Sequence, residues 1–176
     1  RAVLNGFFLL LSFFFIRFGL LALLDKDALR RAAHFAPMTG NSASAYWVYQ
    51  ASNLALLVCP FVRSVTFSPL PLFLLGLAAY LLGLGFCAAS IVSFGASSAG
   101  GLRTGGVYRF SRNPMYLSYD LFFLGCSLLI QSPLMLGSLV VFCLSSHWII
   151  LAEEQWCLKQ FGGTYQAYLQ SVRRYL

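Results

Sequence analysis

Long runs of apolar residues, separated by short polar segments, dominate this chain. An α-helix needs roughly 20 mostly apolar residues to cross the hydrocarbon core of a bilayer, and five runs come close to that length. Lipid offers no partner to backbone polar groups, so the runs are expected to be helical. The sequence therefore predicts an all-α, polytopic bundle of five transmembrane helices at residues 3–24, 45–62, 72–94, 115–130 and 134–152.

The polar connections predict how these helices follow one another. Residues 28–44 are typical of a loop with a short interfacial helix, and residues 68–71 of a tight connection. The turn at residues 131–133 is so short that the fourth and fifth helices are expected to form an antiparallel hairpin. The remainder, residues 153–176, reads as an amphipathic tail in which Gly162 and Gly163 separate two short helices.

Composition supports a membrane protein built as a single unit. Hydrophobic residues make up 59% of the chain and charged residues 10%, whereas soluble domains average about 25% charged residues. We expect one integral membrane domain over residues 1–176, with three spans in 1–94 and a motif-bearing region in 95–176. The five cysteines have neither metal-ligand spacing nor the pattern of a disulfide framework, so no metal site is predicted.

The net charge of +7 reflects basic residues in short loops, which is typical of membrane topology rather than of nucleic-acid binding. Arg1 and Arg63 fall on one predicted side of the bundle. The other side carries Lys26, Arg30, Arg31, Arg103, Arg109, Arg112, Lys159, Arg173 and Arg174. Positive loops favour the cytoplasm, so the N-terminus is predicted outside and the C-terminus inside.

Two polar clusters border apolar runs on the predicted cytoplasmic side. In the first, Pro114 suits the first turn of the fourth helix and Asn113 its N-cap. The second, Glu153 and Glu154, is predicted at the C-terminus of the fifth helix, where the helix dipole disfavours negative charge. We expect either loop arginines or a cationic ligand to compensate this pair. Both clusters also have a plain structural interpretation, as a helix start and a solvated helix end.

Other polar residues lie inside the apolar runs. Arg17 is expected either to extend its charged end towards the membrane surface or to face the bundle interior. Asp120 is expected to face the interior and to pair with an arginine, because charge is costly in lipid. His147 is either a satisfied interior histidine or a polar element of a substrate cavity. Gly83 and Gly85 indicate close helix packing.

Four motifs, in their order and spacing, resemble the isoprenylcysteine carboxyl methyltransferases and the related membrane phospholipid methyltransferases. The resemblance covers about residues 95–174. The motifs are Gly106-Val107-Tyr108, Arg112-Asn113-Pro114-Met115-Tyr116, Glu153-Glu154, and a Phe161-Gly162 pair followed by Tyr165 and Tyr168.

The resemblance implies an S-adenosyl-L-methionine pocket on the cytoplasmic side, formed by the C-terminal half. Glu153 would face the charged methionyl part of this cofactor. By position, the pocket would be lined by Gly100, Gly101, Leu102, Arg103, Tyr108, Asn113, Pro114, Met115, Tyr116 and Glu153.

The implied acceptor is a C-terminal S-isoprenylcysteine or a similar lipid-linked group that enters from the bilayer. Its carboxylate is already ionised, so alignment and desolvation suffice without a general base. The catalytic residues stay unknown, with Asn113, Glu154, His147 and Arg173 as candidates.

Two positions depart from the family pattern. Asn113 stands where the family usually has histidine, and an amide does not titrate near neutrality. Ile149 stands where the eukaryotic prenylcysteine enzymes carry an arginine that is expected to hold the substrate carboxylate. Arg173 or Arg174 would have to substitute for that arginine.

Three alternatives stay open. N-methylation of a phospholipid amine would need a base, for which Glu154 or His147 is available. An NADPH-dependent enzyme like the sterol reductases would need a basic phosphate pocket built from Arg103, Arg109 and Arg112. A non-enzymatic membrane protein would use the motifs as helix ends. The oligomeric state is left open.

Overall fold

The computed structural model describes residues 4–24, 41–95 and 102–176, and every regular element in these ranges is helical. This confirms the all-α class. Most of the predicted 28–44 loop and the glycines Gly100 and Gly101 lie outside the described residues. The helices are α1 (Phe7–Leu24), α2 (Asn41–Val58), α3 (Leu70–Gly95), α4 (Pro114–Leu129), α5 (Pro133–Phe161) and α6 (Gly163–Ser171).

Four helical segments are long and apolar enough to cross a membrane, which supports a multi-pass integral membrane protein. They are Phe7–Leu24, Ala43–Val62, Leu70–Phe94 and Pro133–Phe161. The helix α4 has 16 residues, or about 24 Å at 1.5 Å per residue, which is less than the ~30 Å hydrocarbon core. The count of five spans therefore stays a prediction.

The helices α3 and α4 pack against each other through glycines. A Cβ atom added to Gly83 would collide with the backbone of Phe122, and one added to Gly125 would collide with the backbone of Tyr80. The packing interpretation of Gly83 is confirmed, whereas Gly85 faces open space. This contact fixes the position of α4 along α3.

Hydrogen bonds join the connections at the end of the bundle where α1 begins. The Gly6 amide donates to the Arg63 carbonyl at 2.8 Å, and Gln131 Nε2 donates to the Ser68 carbonyl at 2.7 Å. The turn at Gln131 links α4 to α5, which confirms the predicted hairpin. The polar motifs lie at the other end of α4.

The end of the fifth predicted span is wrong. The helix α5 continues to Phe161 and stops at Gly162, which has a φ of +54°. Glu153 and Glu154 are therefore inside the helix rather than at its C-terminus. The tail stabilises these additional turns, since Arg174 binds Glu154 within them. The predicted break at Gly162 is confirmed, since α6 begins at Gly163.

Candidate active site

The segment before α4 is held close to α3. Residues Gly106–Arg109 form a single 3₁₀ turn, and Gly106 has a φ of +59°. A Cβ atom on Gly106 would collide with the Ser93 side chain, and the next amide, of Val107, donates to Ser93 Oγ at 3.2 Å. Glycine is required here by both the left-handed backbone and the close approach. The turn presents Tyr108 towards the bundle.

Asn113 occupies the N-cap position of α4, and Pro114 follows at the first helical position, as predicted. The Asn113 side chain, however, does not cap the helix. Its Nδ2 donates to the carbonyl of Arg174 at 3.1 Å, and the Arg112 amide donates to the carbonyl of Arg173 at 3.0 Å. The chain after α6 thus folds back onto the start of α4.

Glu154 is buried between two arginines. Arg112 Nη2 lies 3.2 Å from Glu154 Oε1, and Arg174 binds both carboxylate oxygens, with Nη2 at 2.9 Å from Oε2. Hydrogen bonding to Glu154 raises the pKa of Arg174, so the guanidinium stays charged. Loop arginines were one of the two expected ways to compensate the acidic pair, and for Glu154 this expectation is confirmed. The Arg112–Glu154–Arg174 cluster ties α4, α5 and the tail together.

Glu153 points to a different neighbourhood. Its Oε1 accepts a hydrogen bond from Tyr116 Oη at 3.3 Å, and its side chain is half-buried. No lysine or arginine within the described ranges forms an ion pair with it. A carboxylate in this setting lacks a counter-charge, which a cationic ligand would supply.

Two further tyrosines lie next to Tyr116, the residue that donates to this carboxylate. The Tyr116 ring centroid lies 6.4 Å from that of Tyr49 on α2 and 6.3 Å from that of Tyr119 on α4. Burial raises the pKa of Tyr108 to about 12; nearby Arg103 and Arg17 lower it and Glu153 raises it. The phenol of Tyr108 therefore stays neutral near two arginines and one glutamate.

A family model for phospholipid methyltransferases matches residues 72–164, slightly more than half of the chain. The chain belongs to this family of membrane methyltransferases. Membership implies a transferase that works in the membrane on a lipid or lipid-linked substrate. No curated protein and no solved structure matches the chain.

The predicted cofactor residues of this methyltransferase fall into separate groups. Met115 and Tyr116 pack against the hydrophobic core, and Tyr116 donates to Glu153. Tyr108 lies on the 3₁₀ turn that precedes α4. Asn113 and Pro114 lie at the start of α4. Gly100 and Gly101 lie outside the described residues. The guanidinium of Arg103 lies over the ring of Phe94, with Cζ at 3.2 Å from the ring centroid.

Leu102 lies elsewhere, in a surface groove of about 510 Å³ between its own loop and α6. Thr104, Arg109 and Thr164 also line this groove. Apart from Leu102, none of the predicted cofactor residues lines it.

The other catalytic candidates have structural partners. His147 Nδ1 lies 2.6 Å from Tyr175 Oη, which satisfies the half-buried ring. The Arg173 side chain is exposed and its carbonyl accepts from Arg112. The pairing expected for Asp120 is wrong: the Cys143 thiol donates to Asp120 Oδ1 at 3.2 Å, and no described arginine forms an ion pair with it.

One residue of the methyltransferase interior, Tyr49, was not predicted from the sequence. Tyr49 lies in a span without any motif, and a single sequence carries no signal for it. Facing the interior was one of the two arrangements expected for Arg17, and it is confirmed, because its Cζ lies 5.4 Å from the Tyr119 ring centroid. Arg17 stood out in the sequence because it is a charged residue in the middle of a span. The sequence did not indicate that Arg17 lies beside Met115.

Proposed function

We propose that this protein is an S-adenosyl-L-methionine-dependent membrane methyltransferase that modifies the carboxylate of a C-terminal S-isoprenylcysteine or a similar lipid-linked acceptor. The observation that carries the proposal is Glu153. It is a half-buried carboxylate with one phenol donor and no basic partner among the described residues. Such a group suits a ligand with a positive charge.

The residues around Glu153 fit the proposed cofactor. When bound, S-adenosyl-L-methionine supplies an electrophilic methyl group on a positively charged sulfur. Glu153 would attract the charged methionyl part, whose ammonium group S-adenosylhomocysteine also carries. The faces of Tyr116 and Tyr49 would add cation–π attraction to the sulfonium. The proposed lining of the S-adenosyl-L-methionine pocket comprises Gly100, Gly101, Leu102, Arg103, Tyr108, Asn113, Pro114, Met115, Tyr116 and Glu153.

The proposed transfer to a carboxylate requires no proton removal. The protein would align the two reactants and exclude water from them. Both candidate bases are engaged, since Glu154 binds Arg112 and Arg174 and His147 contacts Tyr175. This supports a carboxylate acceptor over an amine, which must lose a proton.

N-methylation of a phospholipid amine is the second candidate. It is favoured by the match to a phospholipid methyltransferase family model over residues 72–164. The reductase alternative has less support, because Arg112 is bound to Glu154 and Arg109 is exposed. We also propose that residues 1–176 work as one domain with the site on the cytoplasmic side, where a water-soluble cofactor is available.

The deciding experiment is calorimetric titration of the detergent-purified protein with S-adenosylhomocysteine and, separately, with NADPH. We expect micromolar binding of S-adenosylhomocysteine and none of NADPH. Transfer of labelled methyl from S-adenosyl-L-methionine to S-farnesylcysteine, compared with phosphatidylethanolamine, then identifies the acceptor. Binding of NADPH alone would support a reductase, and binding of neither compound would contradict the proposed function.

A further inference from the structure

Arg17 brings a positive charge into the middle of α1. It belongs to a π-helical segment, Phe15–Leu20, which interrupts the α-helix at this point. π-Helical turns within α-helices occur frequently at functional sites. Charged side chains within a membrane span are rare and generally face the interior for a functional reason. Arg17 therefore needs an explanation beyond helix packing.

The Arg17 guanidinium lies against the cofactor motif rather than lipid. Its Nη1 is 3.8 Å from Met115 Sδ, and its Cζ is 5.4 Å from the ring centroid of Tyr119. A thioether and an aromatic face attract a cation only weakly, and neither is an anion. Within the described ranges, these contacts hold the Arg17 side chain in position and no carboxylate forms an ion pair with it.

The acidic side chains of the described ranges have other partners. Glu154 binds Arg112 and Arg174, Asp120 accepts from Cys143, and Glu153 accepts from Tyr116. None of these carboxylates forms an ion pair with Arg17. A bound anion would supply the missing counter-charge and would be favoured because the region is shielded from water.

Arg17 and Glu153 contact two neighbouring tyrosines of α4. Tyr116, which donates to Glu153, lies within 6.3 Å of Tyr119, and Arg17 lies over Tyr119. The ring centroid of Tyr49 lies 6.4 Å from that of Tyr116. The interior thus holds a carboxylate, that of Glu153, and a guanidinium, that of Arg17. A cationic methyl donor and an anionic acceptor would meet between them with matching charges.

The arginines first expected to hold the acceptor are not available for it. Arg174 binds Glu154 through two nitrogens, and the Arg173 side chain is exposed. Ile149 is fully buried and apolar. A guanidinium in the interior has the forked geometry that binds a carboxylate or phosphate through two hydrogen bonds.

We propose that Arg17 binds the oxyanion of the methyl acceptor, which is either the carboxylate of a lipidated cysteine or the phosphate of a phospholipid. This inference rests on the proposed function. It assigns Arg17 to binding and orienting the acceptor, with Glu153 serving the donor.

The test compares full-length wild type with Arg17→Gln, Arg17→Lys and the control Arg63→Gln in lipid nanodiscs. Arg63 is exposed at the opposite end of the bundle. Three affinities are measured: for S-farnesylcysteine, for its neutral carboxamide, and for S-adenosylhomocysteine. We expect Arg17→Gln to weaken binding of the acid by about tenfold to a hundredfold while the other two affinities change by less than about twofold. The affinity of Arg17→Lys for the acid should lie between those of wild type and Arg17→Gln, because lysine keeps the charge but loses the two-pronged guanidinium geometry. Arg63→Gln should match wild type.

A parallel series distinguishes the two sources of the oxyanion. Phosphatidylethanolamine is compared with diacylglycerol, which lacks the phosphate. A loss confined to the phospholipid would support the inference with a phosphate as the anion. Equal binding of the acid and the phospholipid by wild type and Arg17→Gln would overturn it. A matching loss of S-adenosylhomocysteine affinity would also overturn it, because Arg17 would then serve the cofactor.

Two readouts separate this inference from the proposed function. If the wild type bound the acid more tightly than the carboxamide but transferred no methyl group, the proposed function would fail while the role of Arg17 stood. If the wild type transferred methyl groups and Arg17→Gln kept the acceptor KM, the inference would fail alone. If Arg17→Gln does not stay monodisperse, Arg17→Lys is compared with wild type instead. We then expect its affinity for the acid to fall several-fold.

Discussion

At the scale of single residues, the adjacent glutamates of α5 have different partners. Successive residues of an α-helix are rotated by about 100°, so Glu153 and Glu154 face different neighbours. Glu154 meets two arginines and Glu153 meets one tyrosine. We therefore expect replacement of Glu153 to affect binding and replacement of Glu154 to affect stability.

The substitution Glu153→Gln removes a charge and keeps the shape. If this carboxylate faces the methionyl part of the cofactor, affinity for S-adenosylhomocysteine should fall by roughly 1–3 kcal/mol, the scale of a charge-assisted hydrogen bond. Calorimetry of the purified variant measures this, with substitution of the exposed neighbour, Gln155→Ala, as the control. Unchanged affinity in a folded Glu153→Gln protein would remove Glu153 from the site.

The substitution Glu154→Gln leaves Arg112 and Arg174 without their shared counter-charge. Removing one partner of a buried ion pair is strongly destabilising, and we expect a loss on the order of 3 kcal/mol in the free energy of unfolding. Unfolding in mixed detergent micelles measures it against wild type and Gln155→Ala. A variant as stable as wild type would show that the Arg112–Glu154–Arg174 cluster does not hold the tail in place.

These roles were only partly predictable from the sequence. The Glu153-Glu154 pair stood out because charge at a membrane edge is unusual. The different roles of the two glutamates depend on partners that are remote in sequence. Arg174 lies 20 residues from Glu154, and Tyr116 lies 37 residues from Glu153. No periodicity reports contacts of that kind.

At the scale of helices, apolar runs predicted the elements well and their ends less well. Lipid enforces helical structure on a long apolar run, so the position of each span follows from composition. The end of α5 was missed because the helix continues into a more polar stretch in which Glu154 is bound by Arg174 of the tail, a contact that apolar patterning does not report. The close packing of α3 on α4 was predicted at Gly83, where a small residue allows the backbones to approach.

That packing can be tested on one helix. Gly83→Ala introduces a Cβ atom that would overlap the Phe122 backbone, whereas Gly85→Ala introduces one into open space. We expect Gly83→Ala to lower the free energy of unfolding by about 1–3 kcal/mol, the range for overpacking a tight contact. Gly85→Ala should match wild type in the same mixed-micelle unfolding assay. Equal stability of the two variants would contradict the close α3–α4 contact.

At the scale of the whole molecule, hydrogen bonds join the chain segments at each end of the bundle. At one end, Gly6 bonds to Arg63 and Gln131 to Ser68. At the other, Asn113 bonds to the carbonyl of Arg174. The helix α4 extends between these ends alongside α3, although it is shorter than a full span. If all five helices cross the bilayer, the Arg63 end and the Arg173 end face opposite sides.

The accumulation of arginines and lysines near the motif end predicts that this end lies in the cytoplasm. Arg63→Cys and Arg173→Cys report on this directly, because both side chains are exposed and lie at opposite ends. A membrane-impermeant maleimide applied to intact cells should label Arg63→Cys and should reach Arg173→Cys only after permeabilisation. The unsubstituted protein corrects for the native cysteines, of which Cys59, Cys87 and Cys126 are buried. Labelling of Arg173→Cys in intact cells would reverse the orientation, and labelling of both variants from one side would mean that α4 does not cross the bilayer.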